Sequence, residues 1–276
     1  MTKYKKDWLN DKTVIISGAS SGIGRGISKL LIEKFNCNII GIGRNEGKML
    51  SLKEELGDKA DKFTYKLFDV SSIDNWKSFA EELISNNTAI DVLINNAGLL
   101  PPFKSANKFT PDEVKHNFEI NFFSYIYAID NLLPIIKQSN TPAIINMSSA
   151  DALSPIIGTS VYSSTKASVK CYTEVMREEF RGIMYVGLIC PGFVKTDIFR
   201  NQTRTQSKLI DFFSMRCDKA CKKIVKGIKK RRTRMVVGAD AKLMDILYRL
   251  FPRFSLRLVR KVLKSSRQDL FCDIFE

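Results

Sequence analysis

Short apolar segments alternate with longer amphipathic segments over residues 13–190. The short segments are rich in Val, Ile, Leu or Phe and lack strict apolar–polar alternation, which is typical of parallel strands covered on both faces. We therefore predict strands at Thr13–Ser17, Cys37–Gly43, Phe63–Phe68, Ile90–Ile94, Ala143–Met147 and Met184–Ile189. Helical periodicity falls between them, at Gly22–Phe35, Lys48–Leu56, Ile73–Asn86, Pro111–Ile136 and Ser160–Arg181.

Strands separated by helices predict right-handed crossovers and an α/β fold with a Rossmann-type, doubly wound parallel sheet. A basic helix at Asp218–Lys230 and a last strand at Arg234–Val237 follow, and then a C-terminal helical segment. Because no repeat or Pro/Gly/Ser-rich linker divides the 276 residues, we predict a single domain. Its parts are a core at 11–200, a lid with the basic helix and last strand at 201–238, and a basic amphipathic extension at 239–276.

A glycine-rich turn, Ser17–Gly24, joins the first predicted strand to the first helix. Glycines here let the backbone approach a pyrophosphate, and the helix N-terminus faces its negative charge. Arg44 directly follows the second strand, with no carboxylate before Glu46. Since an acidic residue at this place would bind a free ribose 2′-hydroxyl and an arginine suits a 2′-phosphate, NADP(H) is favoured over NAD(H).

Candidate acid/base chemistry lies in the following half of the core. Tyr162 and Lys166 are four residues apart, so they share one face of the predicted helix Ser160–Arg181. A nearby cation stabilises a phenolate and brings its pKa towards the working range. Ser148 and Ser149 close the fifth strand, at the sheet edge where sites form in such folds, and a serine there can hold a substrate oxygen beside the tyrosine.

With these residues in order, the sequence resembles the short-chain dehydrogenase/reductase family, and its hydroxysteroid-dehydrogenase-like members in particular. The resemblance covers about residues 11–200, through Ser17–Gly24, Asp69, Asn95–Gly98, Asn121, Ser149, Tyr162, Lys166 and Pro191–Gly192. It implies an enzyme that interconverts a secondary alcohol and a ketone without a metal, as a homodimer or homotetramer joined through the Ser160–Arg181 helix. Ser149 would hold the substrate oxygen, Tyr162 would supply the proton, and Asn121 would hold a water in the relay to Lys166.

The same resemblance implies which residues bind the cofactor. They are Gly18, Ser20, Ser21, Gly22, Ile23, Gly24, Arg44, Asp69, Val70, Asn95, Ala97, Gly98, Tyr162, Lys166, Pro191, Gly192, Val194 and Thr196. One departure bears on cofactor choice. Many NADP-using members carry a basic residue where this chain has Ser21, so the preference rests on Arg44, with Arg25 as a conceivable helper, and use of both NADP(H) and NAD(H) stays open.

Charge is divided unevenly along the chain. The net charge is +15, with 44 Lys and Arg against 29 Asp and Glu, and residues 201–276 hold 20 basic against 7 acidic residues. A basic run at Lys229–Arg234 opens the alternative of a nucleic-acid-binding protein, and loss of activity would leave a dinucleotide sensor. We expect neither, because the run ends an amphipathic helix and all the catalytic positions are present.

The segment after residue 239 carries two apolar stripes, one at Leu243, Ile246, Leu247, Leu250 and Phe251 and one at Phe254, Leu258, Val259, Val262 and Leu263. Basic residues surround them, and Pro252 divides the segment into two helices. Such helices cover a substrate pocket or a dimer mate, or they lie on an anionic membrane. We expect them to pack mainly against the protein, because that many apolar side chains would otherwise face water.

Aromatic and aliphatic residues around the expected pocket predict a bulky lipophilic substrate, such as a steroid, bile acid or lipid ketone. The candidate wall residues are Leu99, Leu100, Phe103, Ala150, Leu153, Ile156, Ile157, Phe193, Ile198, Phe199, Phe212, Phe213 and Met215. Six cysteines without disulfide or zinc spacing, a polar N-terminus and no long apolar run suggest a cytoplasmic protein.

Overall fold

The computed structural model describes residues 8–196, 198, 214–265 and 274. Seven parallel strands form one sheet in the order β3-β2-β1-β4-β5-β6-β9, which confirms the doubly wound Rossmann-type fold. They are β1 (Thr13–Ser17), β2 (Asn38–Gly43), β3 (Phe63–Leu67), β4 (Val92–Asn95), β5 (Ala143–Met147), β6 (Tyr185–Pro191) and β9 (Arg234–Val237). Two short strands, β7 (Val194–Lys195) and β8 (Met215–Arg216), pair beside the sheet.

Helices cover both faces of the sheet. They are α1 (Gly22–Phe35), α2 (Glu46–Glu55), α3 (Ile73–Ser85), α4 (Pro111–Phe118), α5 (Ser124–Ile136), α6 (Ser160–Glu179), α7 (Cys217–Lys229), α8 (Ala239–Leu250) and α9 (Pro252–Ser265). The core on one face holds side chains of α1 and α7, and the core on the other holds those of α3 and α5. The central strands β4, β5 and β6 are buried along their whole length, which explains their lack of alternation.

The helix expected over Pro111–Ile136 contains an interruption. A π-helical turn at Glu119–Phe123 joins α4 to α5 and places Asn121, fully buried, on the side of β4 and α6. A π-helical turn has one residue more than an α-helical turn, and this shifts the apolar stripe of the helix only slightly. The sequence pattern therefore did not reveal the interruption. Single π turns of this kind often occur at functional sites.

Part of the basic run at Lys229–Arg234 has a structural role. The Arg231 guanidinium lies 4.2 Å from the centre of the Trp8 ring, and the Tyr185 hydroxyl donates to the Arg232 carbonyl. Arg234 makes a two-pronged contact with Asp245 of α8, at 3.0 and 3.1 Å. These contacts hold the end of α7 and the start of β9 against Trp8, β6 and α8.

The C-terminal helices correct one expectation. Pro252 divides them as predicted, and Met244, Val259 and Leu263 pack on Tyr162 and its neighbours. However, seven of the ten stripe residues are exposed, namely Leu243, Ile246, Leu250, Phe251, Phe254, Leu258 and Val262. The packed residues lie on the side of each helix that faces the protein, whereas most of the stripe lies on the other side. The expectation that the stripe packs mainly against the protein is therefore wrong.

Within the described part of the chain, every helix is too short or too polar to cross a lipid bilayer.

Candidate active site

A cavity of about 430 Å³ opens at the carboxyl ends of β1, β4, β5 and β6. It brings together fourteen of the residues predicted for the site: Gly18, Ser21, Gly22, Ile23, Arg44, Ala97, Gly98, Ser149, Tyr162, Lys166, Pro191, Gly192, Val194 and Thr196. Ser20, Gly24, Asp69, Val70, Asn95 and Asn121 do not line it.

The turn after β1 gives the cavity a backbone wall. Gly18 has φ +69°, and Gly22 has φ +52°, a left-handed conformation that favours glycine. A Cβ on Gly24 would lie 2.2 Å from the Gly18 carbonyl oxygen, so Gly24 permits the tight packing of the turn on α1. Ser21 precedes α1 without capping it through its side chain, and the first turn of α1 carries no acidic residue. This backbone wall fits the pyrophosphate of a dinucleotide, since helix N-termini attract anions.

Arg44 lies at the rim of the cavity. Its side chain is 70% exposed, and its Nη1 is 3.4 Å from Asp69 Oδ2. Burial of Asp69 opposes its ionisation, but hydrogen bonds from Ser71 together with Arg44 lower the pKa of its carboxyl on balance. The predicted adenine-binding pair Asp69 and Val70 therefore lies beside Arg44 but outside the cavity wall.

The suggested helper Arg25 is occupied elsewhere. It donates to the Lys48 carbonyl and to Ser51, and it forms an ion pair with Glu55. Lys48, in the first turn of α2, lines the cavity instead. The signal in the sequence was a second basic residue shortly after Arg44, which itself lies just before α2.

The segment after β4 divides into two roles. Asn95 was expected at the cofactor, but its side chain is fully buried and donates to Asn146 Oδ1 at 2.9 Å, inside the sheet. Asn96 lines the cavity, and its amide donates to the carbonyls of Ser17 and Gly18. Strand alternation explains the correction, because adjacent side chains at a strand end point to opposite sides.

Tyr162 and Lys166 lie on one face of α6, as their spacing predicts. Both are buried, and the Lys166 ammonium is 5.9 Å from the centre of the Tyr162 ring. Lys166 Nζ donates to the Met147 carbonyl at 3.1 Å and to the Tyr125 hydroxyl at 3.4 Å. Tyr125 on α5 was not singled out from the sequence, where it reads as one more core residue of an apolar helix.

Asn121 supports this arrangement from the π turn. Its side chain accepts from the Leu99 backbone N–H and donates to the Leu99 carbonyl and to Thr165. A Cβ placed on Gly98 would lie 3.1 Å from Asn121 Oδ1 and 3.3 Å from Lys166 Nζ, so Gly98 separates the two side chains. The described contacts of Asn121 thus hold the loop after β4 against α6.

A buried carboxyl group, that of Asp151, lines the cavity beside Ser149 and Tyr162. It accepts a hydrogen bond from Thr159 at 3.1 Å, and Ser149 lies within hydrogen-bonding reach of both Asp151 and Tyr162. Burial raises the pKa of Asp151 to about 6. Burial, and then the Asp151 charge, also raises the pKa of Tyr162. Burial lowers that of Lys166 to about 7.

These shifts give the site a proton-donating character. The phenol of Tyr162 therefore stays protonated at neutral pH, because burial and the Asp151 charge both raise its pKa. This differs from the simple expectation from the Tyr–Lys spacing, in which desolvation of the phenol was not considered. A protonated phenol is the form that donates a proton to a developing alkoxide.

Part of the remaining wall is apolar, and Asp240 of α8 also lines the cavity. Leu99, Leu100, Phe103, Ala150, Ile156, Phe193 and Ile198 line the cavity as predicted, and Met244 of α8 joins them. Leu153 lies in the core beside Leu188, and Ile157 and Met215 pack against buried clusters. Phe199, Phe212 and Phe213, with most of the expected lid, lie outside the described residues.

The comparison with known proteins agrees with this geometry. Residues 12–207 match the family model described as short chain dehydrogenase. The chain belongs to the short-chain dehydrogenase family. As a member of it, the protein is an oxidoreductase acting on alcohol or ketone substrates. A curated member, the benzil reductase ((S)-benzoin forming) of Saccharomyces cerevisiae, is 30% identical over 201 residues, covering 70% of this chain and 76% of its own.

Solved structures share the fold of this short-chain dehydrogenase. A member from Burkholderia phymatum in complex with NAD superposes with a TM-score of 0.79 at 18% identity, covering 90% of this chain and 96% of its own. One from Shigella flexneri complexed with NADP superposes with a TM-score of 0.74 at 20% identity, covering 86% and 100%. At these identities the likeness concerns the fold.

Proposed function

We propose that this protein is an NADP(H)-dependent enzyme that interconverts a bulky, lipophilic secondary alcohol and its ketone. The observation that carries the proposal is the convergence of Ser149, Tyr162 and Lys166 in a cavity that also has an apolar stretch of wall. Leu100, Phe103, Ile156, Phe193 and Met244 would enclose the hydrocarbon part of such a substrate. The likeness to a reductase of benzil, a bulky aromatic diketone, supports this substrate class.

The cavity fits a nicotinamide dinucleotide, because glycine leaves room along one wall. A Cβ on Gly22 would lie 3.3 Å from the Thr196 side chain and would narrow the space between them. The turn at Gly18–Ile23 would hold the pyrophosphate, Arg44 with Lys48 the 2′-phosphate, and Pro191, Gly192, Val194 and Thr196 the nicotinamide. When bound, the nicotinamide supplies or accepts the hydride. The preference for NADP(H) is supported by two basic residues at the rim and by the lack of an acidic residue at the end of β2.

The chain's own residues would position the substrate and move the proton. In the reducing direction, the ketone oxygen lies between the hydroxyls of Ser149 and Tyr162, and Tyr162 donates its proton as negative charge develops on that oxygen. Lys166, fixed by Met147 and Tyr125, then stabilises the phenolate that remains. The apolar wall excludes water, which strengthens each of these interactions.

A substrate screen tests this proposal. The full-length protein is supplied with NADPH or NADH and with ketones that include benzil, steroids, bile acids and small aliphatic ketones, and loss of reduced cofactor is followed by absorbance. We expect the highest kcat/KM with NADPH and a bulky apolar ketone, and turnover at least about a hundredfold lower in the matched Tyr162→Phe protein. A preference for small polar carbonyls would contradict the proposed substrate class, and a preference for NADH would contradict the proposed cofactor.

We further propose that two copies associate through α5 and α6. Phe123, at the end of the π turn that leads into α5, is 39% exposed, and Val175 on α6 is 54% exposed, with Cys171 also exposed. A two-fold contact would cover them. Sedimentation velocity should show a dimer or tetramer that Val175→Glu dissociates, whereas Ile84→Glu on α3 should leave it intact.

A further inference from the structure

The outer sides of α8 and α9 combine exposed apolar side chains in helical register. On α8 they are Leu243, Ile246 and Leu250, and on α9 they are Phe254, Leu258 and Val262. Leu243 and Leu250 are 66% and 65% exposed, more than any other leucine described. We call these six residues, with the basic residues between them, the outer face. Single exposed leucines are common, but a continuous stripe over two adjoining helices marks an interaction surface.

The charge of the outer face has one sign. Helix α9 carries Arg253, Arg257, Arg260, Lys261 and Lys264 and no acidic residue. The two acidic residues of α8 are directed inward. Asp240 accepts from the Phe193 backbone N–H at 2.9 Å, and Asp245 is buried against Arg234. The outer face therefore offers apolar groups and cations together.

The inner sides of the same helices are fixed to the protein. Met244 lines the substrate cavity, and Leu263 is buried in the cluster that contains Phe103, Ile156 and Tyr162. The contacts of Asp240 and Asp245 tie α8 to the loop after β6 and to β9. Because these helices are anchored on one side, their outer face is presented in a fixed orientation and needs no unfolding to meet a partner.

We propose that the outer face of α8–α9 docks on an anionic lipid bilayer, with its apolar side chains at the headgroup boundary and its basic residues against lipid phosphates and carboxylates. Amphipathic helices with this combination bind bilayer surfaces through buried apolar area and electrostatic attraction. The inference concerns where the enzyme works and does not depend on its substrate. Docking of this kind would also cover the exposed apolar side chains of the outer face.

A second copy of the chain is a poorer occupant of the outer face. A two-fold contact places the same patch on both sides, so the five basic residues of α9 would meet five more, and the described part of α9 holds no acidic residue to pair with them. Like charges in close contact oppose association. An anionic surface supplies the missing charge at every position.

Vesicle flotation tests the proposal with the full-length protein. Vesicles are made of phosphatidylcholine alone or of equal parts phosphatidylcholine and phosphatidylserine. We expect at least about tenfold stronger binding to the anionic vesicles, weakening as salt rises. The variant Leu243→Ser/Ile246→Ser/Leu258→Ser should lower this binding at least about tenfold, and Arg257→Gln/Lys261→Gln/Lys264→Gln should remove the preference for anionic lipid.

The matched control is Ile84→Ser/Ile183→Ser, which removes apolar side chains that are 61% and 58% exposed elsewhere on the surface. It should bind vesicles like the unchanged protein. All variants must keep the unchanged melting temperature and NADPH oxidation with a water-soluble ketone, which separates this test from that of the proposed reaction. Failure of the unchanged protein to bind anionic vesicles at low salt overturns the proposal. So does equal binding by the apolar variant, or a loss of self-association in that variant without any vesicle binding.

Discussion

The carboxyl edge of the sheet and the outer face of α8–α9 lie on opposite sides of the same two helices. The first buries polar side chains, whereas the second exposes apolar ones. At the sheet edge, Ser149, Asp151 and Lys166 are buried and hydrogen-bonded to named neighbours. On the outer face, Leu243 and Phe254 remain in water. Buried polar groups cost free energy unless they are satisfied, and exposed apolar groups forgo stabilisation. Both departures from ordinary burial point to sites that serve a ligand or a partner.

Removal of the phenol hydroxyl should have the largest effect on the enclosed site. Tyr162→Phe keeps the ring packed on Phe103 and Ile156, so the melting temperature and dinucleotide binding should change little. Turnover should fall at least about a hundredfold, because no other group donates the proton. Single-turnover kinetics with a substrate from the screen measure this. Near-normal kcat would show that the proton comes from elsewhere.

Asp151→Asn should stabilise the protein at neutral pH. The folded pKa of Asp151, about 6, lies above the 3.8 of an unburied aspartate, so the folded state holds the proton more tightly. The stabilisation this gives is complete below the unfolded value and is lost as pH rises through the folded one. The variant avoids that loss, so its advantage should grow with pH to at most about 3 kcal/mol.

Urea unfolding of both proteins between about pH 4 and pH 8 measures this difference. The amide oxygen of asparagine can still accept from Thr159, so the hydrogen bond is retained. Thr159→Val serves as the control, because it removes the donor and leaves the charge. An advantage that is the same at every pH would show that the Asp151 charge is not the cause.

The same variant should move the pH profile of alcohol oxidation. Oxidation needs the phenolate of Tyr162, and the Asp151 charge raises the pKa of this phenol. Without that charge, the rise of kcat/KM with pH should occur at lower pH, while ketone reduction at neutral pH should change less. An unshifted oxidation profile would mean that Asp151 does not act on Tyr162.

The fold could be predicted because parallel strands buried on both faces have a distinctive composition. Thr13–Ser17, Ala143–Met147 and Arg234–Val237 were predicted with the bounds that the structure shows. The placement of Tyr162 and Lys166 on one face of α6 followed from helical spacing. Asp151 could not be predicted in the same way, because one acidic residue in a loop has no periodicity, and its role comes from burial by distant elements.

The outer face illustrates a different limit. Helical periodicity locates an apolar stripe, but it does not say what covers that stripe. We expected the stripe to pack against the protein because burying each apolar side chain lowers the free energy. That gain is similar whether the side chain is buried in a protein core or at a membrane boundary. The structure separates them, since Leu263 is buried and Leu258, little more than one turn earlier, is 38% exposed.

Truncation of these two leucines should therefore give unequal effects. Leu263→Ala removes side-chain carbons from the cluster around Tyr162 and should cost about 2–3 kcal/mol of unfolding free energy. Leu258→Ala should stay within about 0.5 kcal/mol in the absence of lipid, because its side chain already meets water. Urea unfolding measures both. Equal losses would show that Leu258 is covered in solution.

The smallest effect is expected from single basic residues at the two regions. Arg44 and Arg257 are both exposed, but Arg44 is directed at one discrete phosphate in the proposed complex, whereas Arg257 belongs to an extended basic surface. A charge-assisted contact with phosphate at an exposed rim contributes modestly, so Arg44→Gln should weaken NADPH about fivefold to tenfold and leave NADH unchanged. Arg257→Gln should alter neither cofactor. Isothermal titration of both cofactors against both variants measures the four affinities.

Adding Lys48→Gln to Arg44→Gln should lower the affinity for NADPH further, since Lys48 lines the same rim. Arg25→Ala provides the last comparison, because its partners are Lys48, Ser51 and Glu55 and it should leave the ratio of the two cofactors as it was. If Arg44→Gln weakened NADH as much as NADPH, the rim would contribute general attraction for anions, and the basic residues of the two regions would act alike.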